Sequence, residues 1–133
     1  MNKFLFTVAL LTASVATFAQ NRLVNKAEYA IKENKLDEAQ TLLTEALNSG
    51  VTKNMSKAWN LQAEVYQRKF AEELNKASQK QPLDTLKFEQ NLFSCLDAYD
   101  KCHQFDTKKE FYLTNLVNMK KYRLFVYYAG FFN

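Results

Sequence analysis

Turn-forming and chemically reactive residues are scarce in this 133-residue chain, which has two glycines, one proline, two cysteines and one histidine. Each shortage removes a class of answers. Glycine and proline punctuate turns and average about 7% and 5% of ordinary sequences, so many short strands joined by tight turns are excluded and long helices are favoured. Cys95 and Cys102 stand two helical turns apart, about 10 Å along a helix axis. They cannot join while that helix is intact, because bridged α-carbons lie within roughly 7 Å, and they read as small buried apolar residues. His103, beside Cys102 and near Asp106, lacks the paired-ligand spacing of structural zinc. Glycine-rich phosphate loops, nucleophile elbows and H-E-x-x-H runs are absent. The reading is therefore of a non-enzyme, with no catalytic residue, metal or cofactor assigned. Glu72-Glu73, among helix-surface residues, reads as a solvated face rather than a catalytic pair.

Hydrophobic residues make up 47% of the chain, ample for one buried core if they are patterned. The formal net charge is +4, but lysines and acids are interspersed, as on solvated helix faces. The densest basic stretch, Lys108-Lys109 with Lys120, Lys121 and Arg123, is diluted by Glu110 and by aromatics. A surface that tracks phosphates needs a sustained basic stripe, so no nucleic-acid partner is expected.

The N-terminus reads as an address. Met1-Asn2-Lys3 supplies a positive charge, Phe4 to Ala16 is an apolar run, and Thr17-Phe18-Ala19 sets small residues at the positions a signal peptidase reads. The run is shorter than the roughly 20 residues a membrane-spanning helix needs. Residues 1–19 are therefore expected to be a signal peptide cleaved after Ala19, leaving a mature domain over residues 20–133 with no transmembrane span. The segment resembles Gram-negative signal peptides ending in Phe-Ala-Gln, which implies a periplasmic location.

Helical periodicity runs through the mature chain. Leu23, Val24, Ala27, Ala30 and Ile31 recur at steps of three and four, and after a polar break at Asn34-Lys35 the period restarts with Leu36, Ala39, Leu42, Leu43, Ala46 and Leu47. These segments predict an antiparallel helix pair over about 21–48. Asn48-Ser49-Gly50 predicts a stop closed by the left-handed conformation that glycine tolerates. A helix of some six turns should then begin near Thr52 to Met55 and reach Gln81-Pro82. Asp84 is the expected N-cap of a fourth helix over Thr85 to Gln104, so this second pair covers about 53–104. Thr107-x-x-Glu110 fits a capping box for a last helix over about 108–133.

An internal repeat underlies this series. Leu23, Ala27 and Ala30 fall on Trp59, Ala63 and Tyr66 with a constant shift of 36 (59 − 23, 63 − 27, 66 − 30). The spacing of Ala39, Leu43 and Ala46 recurs as Cys95, Tyr99 and Cys102, displaced by 56 (102 − 46), so the second pair holds 20 additional residues (56 − 36). Extra turns around Pro82 should absorb them. Val126, Gly130 and Asn133 repeat the first-helix spacing once more.

A large residue, a small one four later and an aromatic three after that, followed by A-x3-F-x2-A spacing, resembles the tetratricopeptide repeat. The resemblance implies an all-α fold of antiparallel helix pairs stacked as a short α-solenoid. In such repeats a concave face lined by the first helices binds a protein or peptide. Carried onto this chain, that face comprises Val24, Glu28 and Ile31 in the first pair and Asn60, Glu64 and Gln67 in the second. Trp59 is expected in the interhelical core. On this reading the chain begins a longer solenoid, whose end would expose Phe125, Tyr127, Tyr128, Phe131 and Phe132. The alternative at this point is a final helix over Lys108 to Asn133 folded back on the core. Two further functions stay open: an interaction arm of a larger outer-membrane assembly, and a small helical carrier of an apolar ligand, suggested by the 14% aromatic content.

Overall fold

The computed structural model describes residues 18–50 and 52–121. Residues 18–32 form α1, followed by α2 (Leu36–Leu47), α3 (Ser56–Ser78), α4 (Thr85–Phe105) and α5 (Tyr112–Lys121), with no strand among the described residues. The all-α reading holds. No helix among those residues is long and apolar enough to cross a membrane. Two compact units divide the chain, Met1–Asn54 and Met55–Asn133.

In the first unit the apolar stripe is buried as its period requires: Val24, Ala27, Ala30 and Ile31 on α1, and Leu36, Ala39, Leu43 and Ala46 on α2. Full burial of each larger side chain among them contributes about 1.5–3 kcal/mol. Asn34 closes α1 in the left-handed region (φ 56°). The Lys35 amide then donates to the Ala30 carbonyl at 2.8 Å and the Asn34 amide to Ile31 at 3.0 Å, the paired bonds of a Schellman turn. So short a connection sets consecutive helices running in opposite senses. Asp37 and Glu38 in the first turn of α2 complement its dipole.

The end of α2 departs from expectation. Gly50 has no positive φ, so it is not the residue that stops the helix. Side-chain oxygens do that work instead. The Thr52 hydroxyl donates to the Ala46 carbonyl, the Ser49 and Thr52 hydroxyls are hydrogen-bonded at 2.9 Å, and the Ser49 amide donates back to Ala46 at 3.1 Å. These bonds satisfy the orphan carbonyl end that a left-handed glycine would otherwise close.

The second unit is built on α3 and α4. Lys80 closes α3 with φ 57°, and the Gln81 amide reaches the Lys76 carbonyl at 3.0 Å, repeating the turn used at Asn34. Asp84 caps α4 as expected, its carboxylate accepting from the Lys87 amide at 3.1 Å. The core comprises Ala63 and Phe70 of α3, Phe88, Leu92, Cys95, Ala98 and Tyr99 of α4, and Met119 of α5, with Trp59, Tyr66 and Leu74 packed half-buried against them.

The 20 additional residues lie where the spacing predicts. Past Tyr66, α3 continues for 12 residues where α1 has 2 past Ala30; the connection has 6 residues against 3; and α4 has 10 residues before Cys95 where α2 has 3 before Ala39. The differences are ten, three and seven. Phe70 and Phe88, with ring centroids 4.7 Å apart, join the lengthened halves of the two helices, where an aromatic pair adds about 0.5–1.5 kcal/mol beyond its burial.

The capping box at Thr107 and Glu110 does not form. Asp106 accepts from the Glu110 amide through Oδ1 and from the Phe111 amide through Oδ2, both at 2.8 Å. Lys109 sits at φ 55°, so residues 107–111 are turn and α5 starts at Tyr112, four residues later than the expected 108. A carboxylate with two acceptor oxygens outcompetes the threonine hydroxyl for two orphan amides. Glu73 is a second correction. It is buried rather than solvated, and its Oε1 is paired with Lys76 one turn on at 2.6 Å. Residues 1–17, and the third repeat match at Val126, Gly130 and Asn133 with its neighbouring aromatics, lie outside the described residues.

Candidate protein-interaction face

Six residues were expected to line a binding face, and burial separates them. Val24 and Ile31 are 1% and 2% exposed and Gln67 is 5% exposed. These three are core residues and cannot meet a partner in this structure. The reason is stripe width: α1 and α3 bury a broader face than one inferred from the small residues Ala27 and Ala63 alone. Gln67 is held by Tyr99 of α4, whose hydroxyl donates to its side-chain carbonyl. Glu28, Asn60 and Glu64 keep partial exposure.

The two glutamates share a second feature that the sequence reading passed over. Glu28 accepts from Lys32 at 3.1 Å, and Glu64 accepts from Arg68 at 2.7 Å. Both are pairs four apart on one helix, and both members obey the shift of 36 (64 − 28, 68 − 32). Glutamate N-terminal to the cation is the favourable order for such a pair, worth a few tenths of a kcal/mol. Extending the repeat comparison to charged positions would have found Lys32 and Arg68 beside the glutamates. Each unit therefore presents a Glu–cation pair on its first helix, the glutamate directly following a fully buried alanine.

Exposed apolar area flanks part of this surface. Tyr29 is 69% exposed, and the Lys32 ammonium lies 5.5 Å from its ring centroid. Its counterpart under the shift, Val65, is fully buried, so the units differ at that position. Trp59 takes its expected place against the core, half-buried, with the Lys101 ammonium 4.6 Å from its ring centroid.

The reactive side chains are placed for packing. Cys95 and Cys102 are buried and unpaired, at the spacing where the first unit buries Ala39 and Ala46. The Cys95 thiol donates to the Ala63 carbonyl at 3.5 Å across the helix pair, and the Asn115 amide of α5 donates to Cys102 Sγ at 3.6 Å. Desolvation pushes the Cys95 thiol up to about 12. Desolvation and the nearby Asp106 carboxylate push Cys102 up to about 11. Thiols so raised are protonated at neutral pH and therefore weak nucleophiles. Among the described residues no three His, Cys, Asp or Glu side chains converge as a metal site.

No known family model matches the chain, and no curated protein or solved structure is significantly similar to it. The internal repeat is visible in the burial pattern. Its second-helix positions are buried in both units: Ala39, Leu43 and Ala46 in one, Cys95, Tyr99 and Cys102 in the other, none more than 1% exposed.

Proposed function

We propose that this chain is an exported, non-catalytic interaction module of tetratricopeptide-like type, whose helix pairs stack into a short solenoid and hold a protein or peptide along their first helices. The observation that carries this reading is the recurrence, at one shift of 36, of a buried alanine (Ala27, Ala63) beside a surface Glu–cation pair (Glu28–Lys32, Glu64–Arg68). Core positions recur in any repeat because packing demands it. Recurrence of a partly exposed charged pair, worth little to stability on its own, supports a surface retained for contact. The apolar leader with small residues before Gln20 supports export to the periplasm.

A peptide-library selection on the full chain, followed by measured affinities, tests the binding function. A selected peptide should lose at least about fivefold in affinity when Glu28→Lys and Glu64→Lys are introduced together, since each change reverses a charge at the face. Failure to enrich any peptide, or affinity indifferent to both changes, sinks the reading. N-terminal sequencing of the exported protein tests the address, with Gln20 as the expected first residue.

A further inference from the structure

The outward face of α5 is an apolar ridge. Leu113 is 72% exposed, Val117 64% and Leu116 40%. These three stand at steps of three and four along the helix, so they share one side of it, and Lys120 continues the same stripe into the last turn. Exposed apolar residues scattered singly are ordinary, whereas a contiguous set marks a contact surface. The ridge cannot turn inward, because the other side of α5 is committed. Met119 there belongs to the core, and the buried Asn115 donates to Cys102 Sγ at 3.6 Å.

The charges around the ridge identify what it meets. Lys108 and Lys109 precede the helix, Lys120 and Lys121 close it, and all four are exposed. Glu110 is the only acid from residue 107 to residue 121. Asp97 and Asp100 of α4 border the edge marked by Tyr112 and Leu116, away from Leu113 and Val117, and Asp97 is paired with Lys101 at 2.8 Å. Ten residues of helix span about 15 Å, so cations stand at both ends of an aliphatic ridge rather than at one point. A plane of phosphates over hydrocarbon meets that pattern along its whole length. A protein would need a groove shaped to the ridge and acids placed at both of its ends. Lysine stems are long enough to lie beside the ridge while their ammonium groups stay in the headgroup layer.

We propose that α5 docks flat on an anionic phospholipid surface, with Leu113, Leu116 and Val117 at the acyl boundary and the lysines at either end among the phosphates. Aliphatic burial and attraction to anionic headgroups add in such a contact. The inference is independent of the repeat and of the face at Glu28 and Glu64.

The test uses the full-length protein with vesicles of phosphatidylcholine, with and without about one-third phosphatidylglycerol. Cys95 and Cys102 are buried, so a single Leu113→Cys carries an environment-sensitive fluorophore, and Thr41→Cys on the exposed side of α2 is the control. Anionic vesicles should blue-shift the label at 113 and leave the label at 41 unchanged. Sedimentation with anionic vesicles should weaken at least about tenfold for Leu113→Gln with Val117→Gln. It should weaken at least about fivefold for Lys108→Gln with Lys120→Gln. Circular dichroism verifies that each variant folds, and the labelled protein decides the matter without the glutamines should they disturb α5. A label at 113 that stays aqueous overturns the proposal, as does sedimentation indifferent to both double variants, which places binding elsewhere in the chain. Equal binding to neutral vesicles overturns the role of the lysines and with it the anionic surface. A selected peptide that blue-shifts the label at 113 where vesicles do not would make the ridge a protein site and overturn the lipid assignment.

Discussion

Tyr99 of α4 donates its phenolic hydrogen to the side-chain carbonyl of Gln67 in α3, and both side chains are buried. The corresponding repeat positions in the first unit hold Leu43 and Ile31, also buried. One unit therefore fills this pair of sites with a hydrogen bond and the other with hydrocarbon. Tyr99→Phe strands the Gln67 carbonyl in the core and should cost about 1–3 kcal/mol in chemical denaturation. Adding Gln67→Leu should recover most of that loss. A double variant as unstable as the single one would show that packing rather than the unmet carbonyl sets the cost.

At Gly50 the expectation reverses what Asn48-Ser49-Gly50 suggests. With no positive φ, and no atom within 4 Å of an added Cβ, Gly50→Ala should leave the melting temperature unchanged or raise stability by about 0.4–1 kcal/mol through the unfolded state. A destabilisation above about 1 kcal/mol would mean that the turn needs a left-handed residue there.

The start of α5 offers a direct contrast between two caps. Asp106→Ala removes the acceptor of two amides and should destabilise by about 1–2 kcal/mol. Thr107→Ala should stay within about 0.5 kcal/mol. Equal effects would indicate that the reciprocal Thr107–Glu110 cap forms in solution.

Thiol accessibility and alkaline stability test the core together. Neither cysteine of the native protein should react with a thiol reagent at pH 8, and both should react on unfolding. Because the native thiols sit at about 12 and about 11 against an ordinary 9.0, the native state binds more protons than the unfolded chain above pH 9. Their contribution to stability is then complete below pH 9 and is lost as pH rises toward 11 and 12. The Cys95→Ala, Cys102→Ala double variant, which installs the residues of the first unit, should show a shallower alkaline decline. Rapid labelling of the native protein would contradict this burial.

Much of the architecture is legible in the residues themselves. Steps of three and four among Leu23 to Leu47 encode two amphipathic helices, since only one face of each can leave water. The four-then-three spacing of Cys95, Tyr99 and Cys102, read against Ala39, Leu43 and Ala46, located both the buried seam and the 20-residue expansion. Asp84 was recognisable as a cap because a carboxylate just past Pro82 can accept from the free amides of a first turn. Tertiary structure decided matters of competition and width. Whether Asp106 or Thr107 caps α5 depends on which oxygens reach the free amides. Whether Val24, Ile31 and Gln67 are surface or core depends on how wide a face each helix buries, which periodicity marks by its centre and not by its edges. The hydrogen bond from Asn115 to Cys102 exists only because α5 returns to α4, a non-local contact that no spacing within one helix encodes.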